Sequence, residues 1–146
     1  MTIIEHLRAY FQQYPGLAGE RLDIDCLASA ADNYSIDSVP CESVVSRYLD
    51  GSSVRRCLFT ISSRRYYGQD LTQQAENLAI FEGLESWLEQ KLRFLQLPTL
   101  GERRRARAVH VLSSAYPIII DDDTGTARYQ IQCDLIYTQE VSHESF

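Results

Sequence analysis

QDLTQQAENLAIFEGLESWLEQKLRFLQ, Gln69–Gln96, is the stretch whose reading decides the fold. Leu71, Ala75, Leu78, Phe81, Leu84, Leu88, Leu92 and Leu95 recur at spacings of three and four, which places them on one helical face. Ile80, Trp87 and Phe94 follow at heptad spacing and widen that face. The reading is one long helix over about 70–96. Asp70 is its N-cap, with Gln73 reaching back. Leu97-Pro98 ends it, because proline disfavours helix at the residue before it. Gly83 costs about 1 kcal/mol against alanine in a helix interior, so its presence points to a close backbone approach. So broad an apolar face needs a broad partner, most simply a sheet.

The segments on either side supply strands. Thr2-Ile3-Ile4-Glu5 is a capping box and opens a helix over about Thr2–Tyr14, stopped by Pro15-Gly16. Leu22, Ile24 and Cys26 alternate with Asp23 and Asp25, a short strand, and Tyr34–Val39 reads as another, ended by Pro40. Asp50-Gly51 sits between Glu42–Leu49 and Ser53–Arg64, a hairpin signal. Ala108–Leu112 and Ala115–Ile120 read as strand, with Pro117 marking a bulge or an edge. Thr126–Thr138 alternates best: Tyr129, Ile131, Cys133, Leu135 and Tyr137 against Arg128, Gln130, Gln132 and Asp134. Strands therefore cluster on both sides of one long helix. The expected class is α+β: a mostly antiparallel sheet with an N-terminal helix and the long helix packed on one face. Residues 1–140 form one domain and 141–146 a loose tail.

Composition narrows the function. The chain has 146 residues and a net charge of −6, which argues against a general nucleic-acid binder. Lys91 is the only lysine among 14 basic residues. Arginine suits ion pairs at interfaces better than lysine does. Thr2–Tyr14 lacks the charge order and apolar run of a signal peptide, and no stretch is long and apolar enough to span a membrane. Cys26, Cys41, Cys57 and Cys133 stand singly, outside any metal or redox spacing, so reduced thiols are expected.

Chemistry-bearing motifs are sparse. Asp123-Thr124-Gly125 matches the Asp-Thr-Gly of aspartic proteases, but Asp121 and Asp122 precede it where an apolar strand should run. Acidic residues followed by Gly between two strands are what a hairpin turn requires. His6, His110 and His143 lack ligand-spaced neighbours. Ser113-Ser114 near His110 makes no triad signature. Neither catalytic residues nor metal and cofactor ligands are expected. What stands out is charge. Arg103, Arg104, Arg105 and Arg107 form a basic loop, Arg55-Arg56 and Arg64-Arg65 read as an arginine row beside the Asp50-Gly51 hairpin, and Asp121–Asp123 form an acidic turn. These are the expected contacts: Asp50, Gly51, Arg55 and Arg56 first, the Arg103–Arg107 loop second, and Asp121, Asp122 and Asp123 third, as partners for arginines of another copy.

Several stretches taken together carry a resemblance. They are Tyr34-Ser35-Ile36 with Val39-Pro40, Arg47–Arg56, Tyr66–Asp70, Glu85–Glu89, Ala127–Cys133 and Ile136-Tyr137. In combination the chain resembles a family of bacteriophage and prophage proteins labelled minor capsid proteins. These are similar in size and organisation to the tail terminators of long-tailed phages. The resemblance covers roughly residues 1–140. It implies a small α+β structural protein of the virion, at the head-proximal end of the tail, assembled in the cytoplasm of a bacterial host. Such a protein caps the tail tube as a six-membered ring, stops tube growth and forms the head–tail joining surface. The implied partners are further copies of itself, the tail tube protein, the sheath protein as a further candidate, and the head-completion or neck protein. DNA passes through the lumen without specific binding, and the acidic surplus suits such a passage because like charge repels phosphate. Two other readings stay open: a neck or head-completion connector, and a small intracellular enzyme or ligand-binding domain with a site assembled from scattered side chains.

Overall fold

A computed structural model describes residues 1–17, 22–25, 33–66, 71–121, 123 and 125–141, the side chains of 71–74 excepted. The order is α1 (Ile3–Phe11), β1 (Leu22–Ile24), β2 (Asn33–Val39), β3 (Val44–Arg47), β4 (Ser53–Tyr66), α2 (Leu71–Arg93), β5 (Arg104–Asp121) and β6 (Thr126–Gln139). Six strands form one sheet in the order β1-β2-β4-β6-β5, with β3 also on β4. β1 and β2 are parallel and every other pair is antiparallel. The α+β class with an N-terminal and a longer helix holds.

Alternation explains the core. On β6, Tyr129, Ile131, Cys133, Leu135 and Tyr137 are buried on one face, and Phe59 and Ile61 of β4 lie beside them. Both helices cover that same face. Phe11 of α1 packs at 5.7 Å from Phe59 and 6.1 Å from Trp87 of α2, and Tyr10 meets Trp87 at 5.4 Å. Truncating Phe59 to alanine there would cost about 3–5 kcal/mol.

The helix boundaries differ from expectation for identifiable reasons. Thr2 and Glu5 do form the capping box, but α1 ends at Phe11, and Ile4 and Phe11 are buried with Leu7 and Tyr10. α2 ends at Arg93 rather than near 96. Leu95 adopts φ 57°, its N–H bonds to the Leu92 carbonyl at 3.1 Å, and Gln96 bonds back to Lys91 at 2.9 Å. That is a Schellman stop with leucine where glycine is usual. Phe94 and Leu95, expected on the apolar face, are exposed. Asp70 lies outside the described residues. Asn77, by contrast, is fully buried in α2 and donates to the Tyr66 carbonyl at 2.7 Å.

The Asp50-Gly51 hairpin is present with a longer loop, Tyr48–Ser52, closed by β3–β4 pairing at Arg47↔Ser53. The two runs expected after residue 108 join into one irregular strand, β5, with register shifts at Val111/Ser113, Ser113/Tyr116 and Pro117/Ile119. Pro117 sits at a shift and on the sheet's edge strand.

Gly83 is where Tyr14 crosses α2. The Tyr14 hydroxyl donates to the Ile80 carbonyl at 3.2 Å and occupies the space that a Cβ on Gly83 would take. Gly83→Ala should therefore bring no net gain in the wild-type chain, because loss of that hydrogen bond, about 1 kcal/mol, offsets the helix propensity gained. In a Tyr14→Phe background, where the hydroxyl is gone, the same substitution should raise stability by about 1 kcal/mol. Urea unfolding of the four chains of the cycle measures the difference between the two backgrounds.

Candidate functional site

The expected contact residues fall at the two ends of the long central strands. Gly51, at φ 90°, turns the β3–β4 loop, and Asp50 accepts from the Ser52 N–H at 2.9 Å and its hydroxyl at 2.6 Å. Register carries Ser53 to Gln139 and Gln139 to Arg104, so Arg103 and Arg104 lie at the same end as this loop. Tyr66 pairs with Thr126 and Thr126 with Asp121, so Asp121 and Asp123 lie at the other. β4 has 14 residues between these ends, on the order of 45 Å at about 3.3 Å per residue. Arg103 and Arg104 thus share one end with Asp50, and Asp121 and Asp123 share the other with Arg64 and Arg65. Asp121 accepts from the Asp123 N–H at 3.0 Å, which closes the turn. Asp122 lies outside the described residues.

Two expectations about the arginines are corrected. Arg104, Arg105 and Arg107 are on strand β5 rather than in a loop; only Arg103, at φ 64°, belongs to the preceding turn. Arg104 donates to Gln139 at 3.2 Å and Arg107 to the Thr138 hydroxyl at 3.4 Å. Arg55 and Arg56 form no single row, nor do Arg64 and Arg65. Neighbours on a strand point to opposite faces of the sheet. Arg55 turns to the Ser53 hydroxyl at 3.0 Å on the helix side, while Arg56 bonds Asp134 at 3.0 Å on the outward face.

That outward face holds two charge clusters that composition and spacing did not single out. Asp134 is nearly buried and joins three strands: Arg56 meets one oxygen at 3.0 Å, and His110 Nδ1 meets the other at 2.7 Å. Further along, Arg128 Nη2 donates to Asp37 at 3.0 Å and to the Ser62 hydroxyl at 3.1 Å, and Ser35 donates to Asp37 at 2.6 Å. Arg128 Nε is buried and meets no partner among the described residues. The only sequence signal was the polar half of the alternation on β6, which does not say which distant strand supplies the counter-charge.

The chemistry available to these groups is limited. His110 bonds a carboxylate, as in a catalytic dyad, but among the described residues neither a hydroxyl nor a thiol is hydrogen-bonded to its imidazole. Burial pushes the Cys57 thiol up to about 11 and the Cys133 thiol further, which disfavours the reactive thiolate. Among the described residues, no group of three or more His, Cys, Asp or Glu could hold a metal ion. Among the same residues, no helix is long and apolar enough to cross a membrane.

Exposed apolar side chains concentrate at the margins instead. Val45, Tyr48 and Leu49 stand out around the β3–β4 loop, and Leu112, Tyr116, Ile118, Ile119 and Ile120 along β5. Leu49 is 110% exposed at the loop tip. Beside β5, an open cleft of about 490 Å³ runs against α2.

No family model and no curated protein sequence matches the chain.

Two predictions test this electrostatic picture. Asp134→Ala should cost about 2 kcal/mol, because it strands Arg56 and His110 together, while His110→Ala should cost less than about 1 kcal/mol, since the imidazole is half exposed; denaturant unfolding separates them. The second is alkaline. Burial raises Tyr10 to about 12 and Cys57 to about 11, against ordinary values of 10.0 and 9.0. Both groups hold their protons more tightly folded than unfolded. Their contribution is complete below the ordinary values and is lost as pH rises through the folded ones. The thermal midpoint should fall from about pH 9 to pH 12, less steeply in Tyr10→Phe.

Proposed function

We propose that this chain is a structural virion protein of a long-tailed phage or phage-tail-like particle. It caps the tail tube as a ring of identical copies, ends tube polymerisation and forms the surface to which the head joins. The observation that carries the reading is the separation of unlike surfaces. The β3–β4 loop, with exposed Tyr48 and Leu49, stands at one end of the sheet beside Arg103 and Arg104; the Asp121 turn stands at the other, beside the exposed isoleucines of β5. A chain with two different sticky surfaces associates head to tail, and head-to-tail contacts close into rings when the rotation allows. The resemblance of residues 34–36, 39–40, 47–56, 66–70, 85–89, 127–133 and 136–137 to phage minor capsid proteins supports the same reading. The tail tube protein and a head-completion or neck protein are the partners it requires. The acidic surplus of the chain suits a passage for DNA that must not adhere.

The decisive measurement is tail length by negative-stain electron microscopy in particles made without this gene. Tubes of uncontrolled length are the expected outcome. Tails of uniform length detached from filled heads would move the protein to the neck. Normal particles would overturn the reading.

A further inference from the structure

β5 pairs with β6 on one side only. Among the described residues its other edge carries a single bridge, Thr99↔Arg105, so from Arg107 onward its backbone is unmatched. An unmatched edge is a template for another strand. Here the edge has a wall. The cleft beside Val109–Ser114 is bounded by Leu88 and Leu92 of α2, with Glu85 and Glu89 along its rim. An edge strand, a helix alongside and an apolar floor make up the geometry used for strand addition.

The lining is also acidic: it includes Glu85 and Glu89, with His110 bonded to Asp134, and no Lys or Arg among the described residues. Glu85 Oε1 is buried and has no hydrogen-bond partner among the described residues. Burial pushes its carboxyl up, Glu82 adds to the push, and the Ser114 hydroxyl opposes it. Glu89, exposed beside it, leaves the acidic lining open to a positive group on an occupant of the cleft.

The opposite margin of the same sheet offers the complement. β3 is a four-residue strand paired to β4, with nothing on its outer side among the described residues. Val45 stands out at its register shift, Arg47 ends it exposed, and Tyr48 and Leu49 project from the loop. We propose that the β3–β4 hairpin of a second copy adds to the free edge of β5 in this cleft, Val45 and Leu49 meeting Leu88 and Leu92, and Arg47 reaching Glu85 and Glu89. β3 matches the short window that the cleft leaves open. Pro117, which has no N–H to give, lies beyond it. The two surfaces differ and sit on opposite margins, so the contact is head to tail and repeats from copy to copy. The inference rests on the reading of the chain as a self-assembling ring and names the surfaces that close it.

Charge reversal tests it in the full-length chain, by sedimentation velocity and by copy number on purified tails. Arg47→Glu and Glu89→Arg should each weaken association roughly tenfold or more, and the double variant should recover most of the loss. Leu49→Ser should weaken association roughly tenfold while leaving the thermal midpoint unchanged, because the side chain is fully exposed in its own copy. If a wild-type oligomer forms and all three single variants match it, this contact is overturned and the ring reading stands. A wild-type chain that is a monomer or a two-fold dimer both in solution and on tails overturns the ring and the contact together.

Discussion

The structure depends on the pairing of β4 with β6. The ladder runs without a break from Ser53↔Gln139 to Tyr66↔Thr126. It places Phe59 and Ile61 beside Cys133 and Ile131, and that apolar strip is what both helices cover. β2 attaches to β4 and β5 to β6, so the outer strands inherit their register from the central pair. A slip of one residue would turn every core side chain of β6 outward.

The outward face is handled differently. Ser35, Thr60 and Ser62 are small and buried there, beneath the Asp37–Arg128 pair, and Asp134 gathers Arg56 and His110. Polar side chains that bond one another leave little apolar surface for a second sheet. Association by stacking on that face would break those bonds and desolvate charges. The margins are the cheaper place to meet a partner, and they are where the exposed apolar side chains stand.

Much of this is legible in the residues. The strict alternation of Tyr129, Ile131, Cys133, Leu135 and Tyr137 identifies β6 and its buried face, and Thr2 with Glu5 marks the start of α1. Gly83 signals the close approach that Tyr14 makes. The failures are local rules overridden or long-range facts unseen. Leu95 carries no glycine signal, yet takes the left-handed conformation that stops α2. Arg55 and Arg56 look like one charged row when read as text, and the pleat sends them to opposite sides. The partnership of Asp134 with His110 joins residues 24 apart, and that of Asp37 with Arg128 residues 91 apart. No periodicity encodes such pairs, because strand order is a property of the whole sheet. The charged ends were legible as charge, but their separation along β4 was not.

The central ladder also joins the middle of the chain to its last strand, pairing Ser53 with Gln139. Contacts this distant in sequence are slow to form, since a long loop must close before they stabilise anything. During synthesis α1, β2, β4 and α2 all emerge before β6, the strand that completes the apolar strip they share. Only when residues 126–139 are free of the ribosome does the core close, and in the same step β5 acquires its paired neighbour. Closure of the core and pairing of β5 are thus one event. A chain that stops before β6 has neither the closed core nor a paired β5.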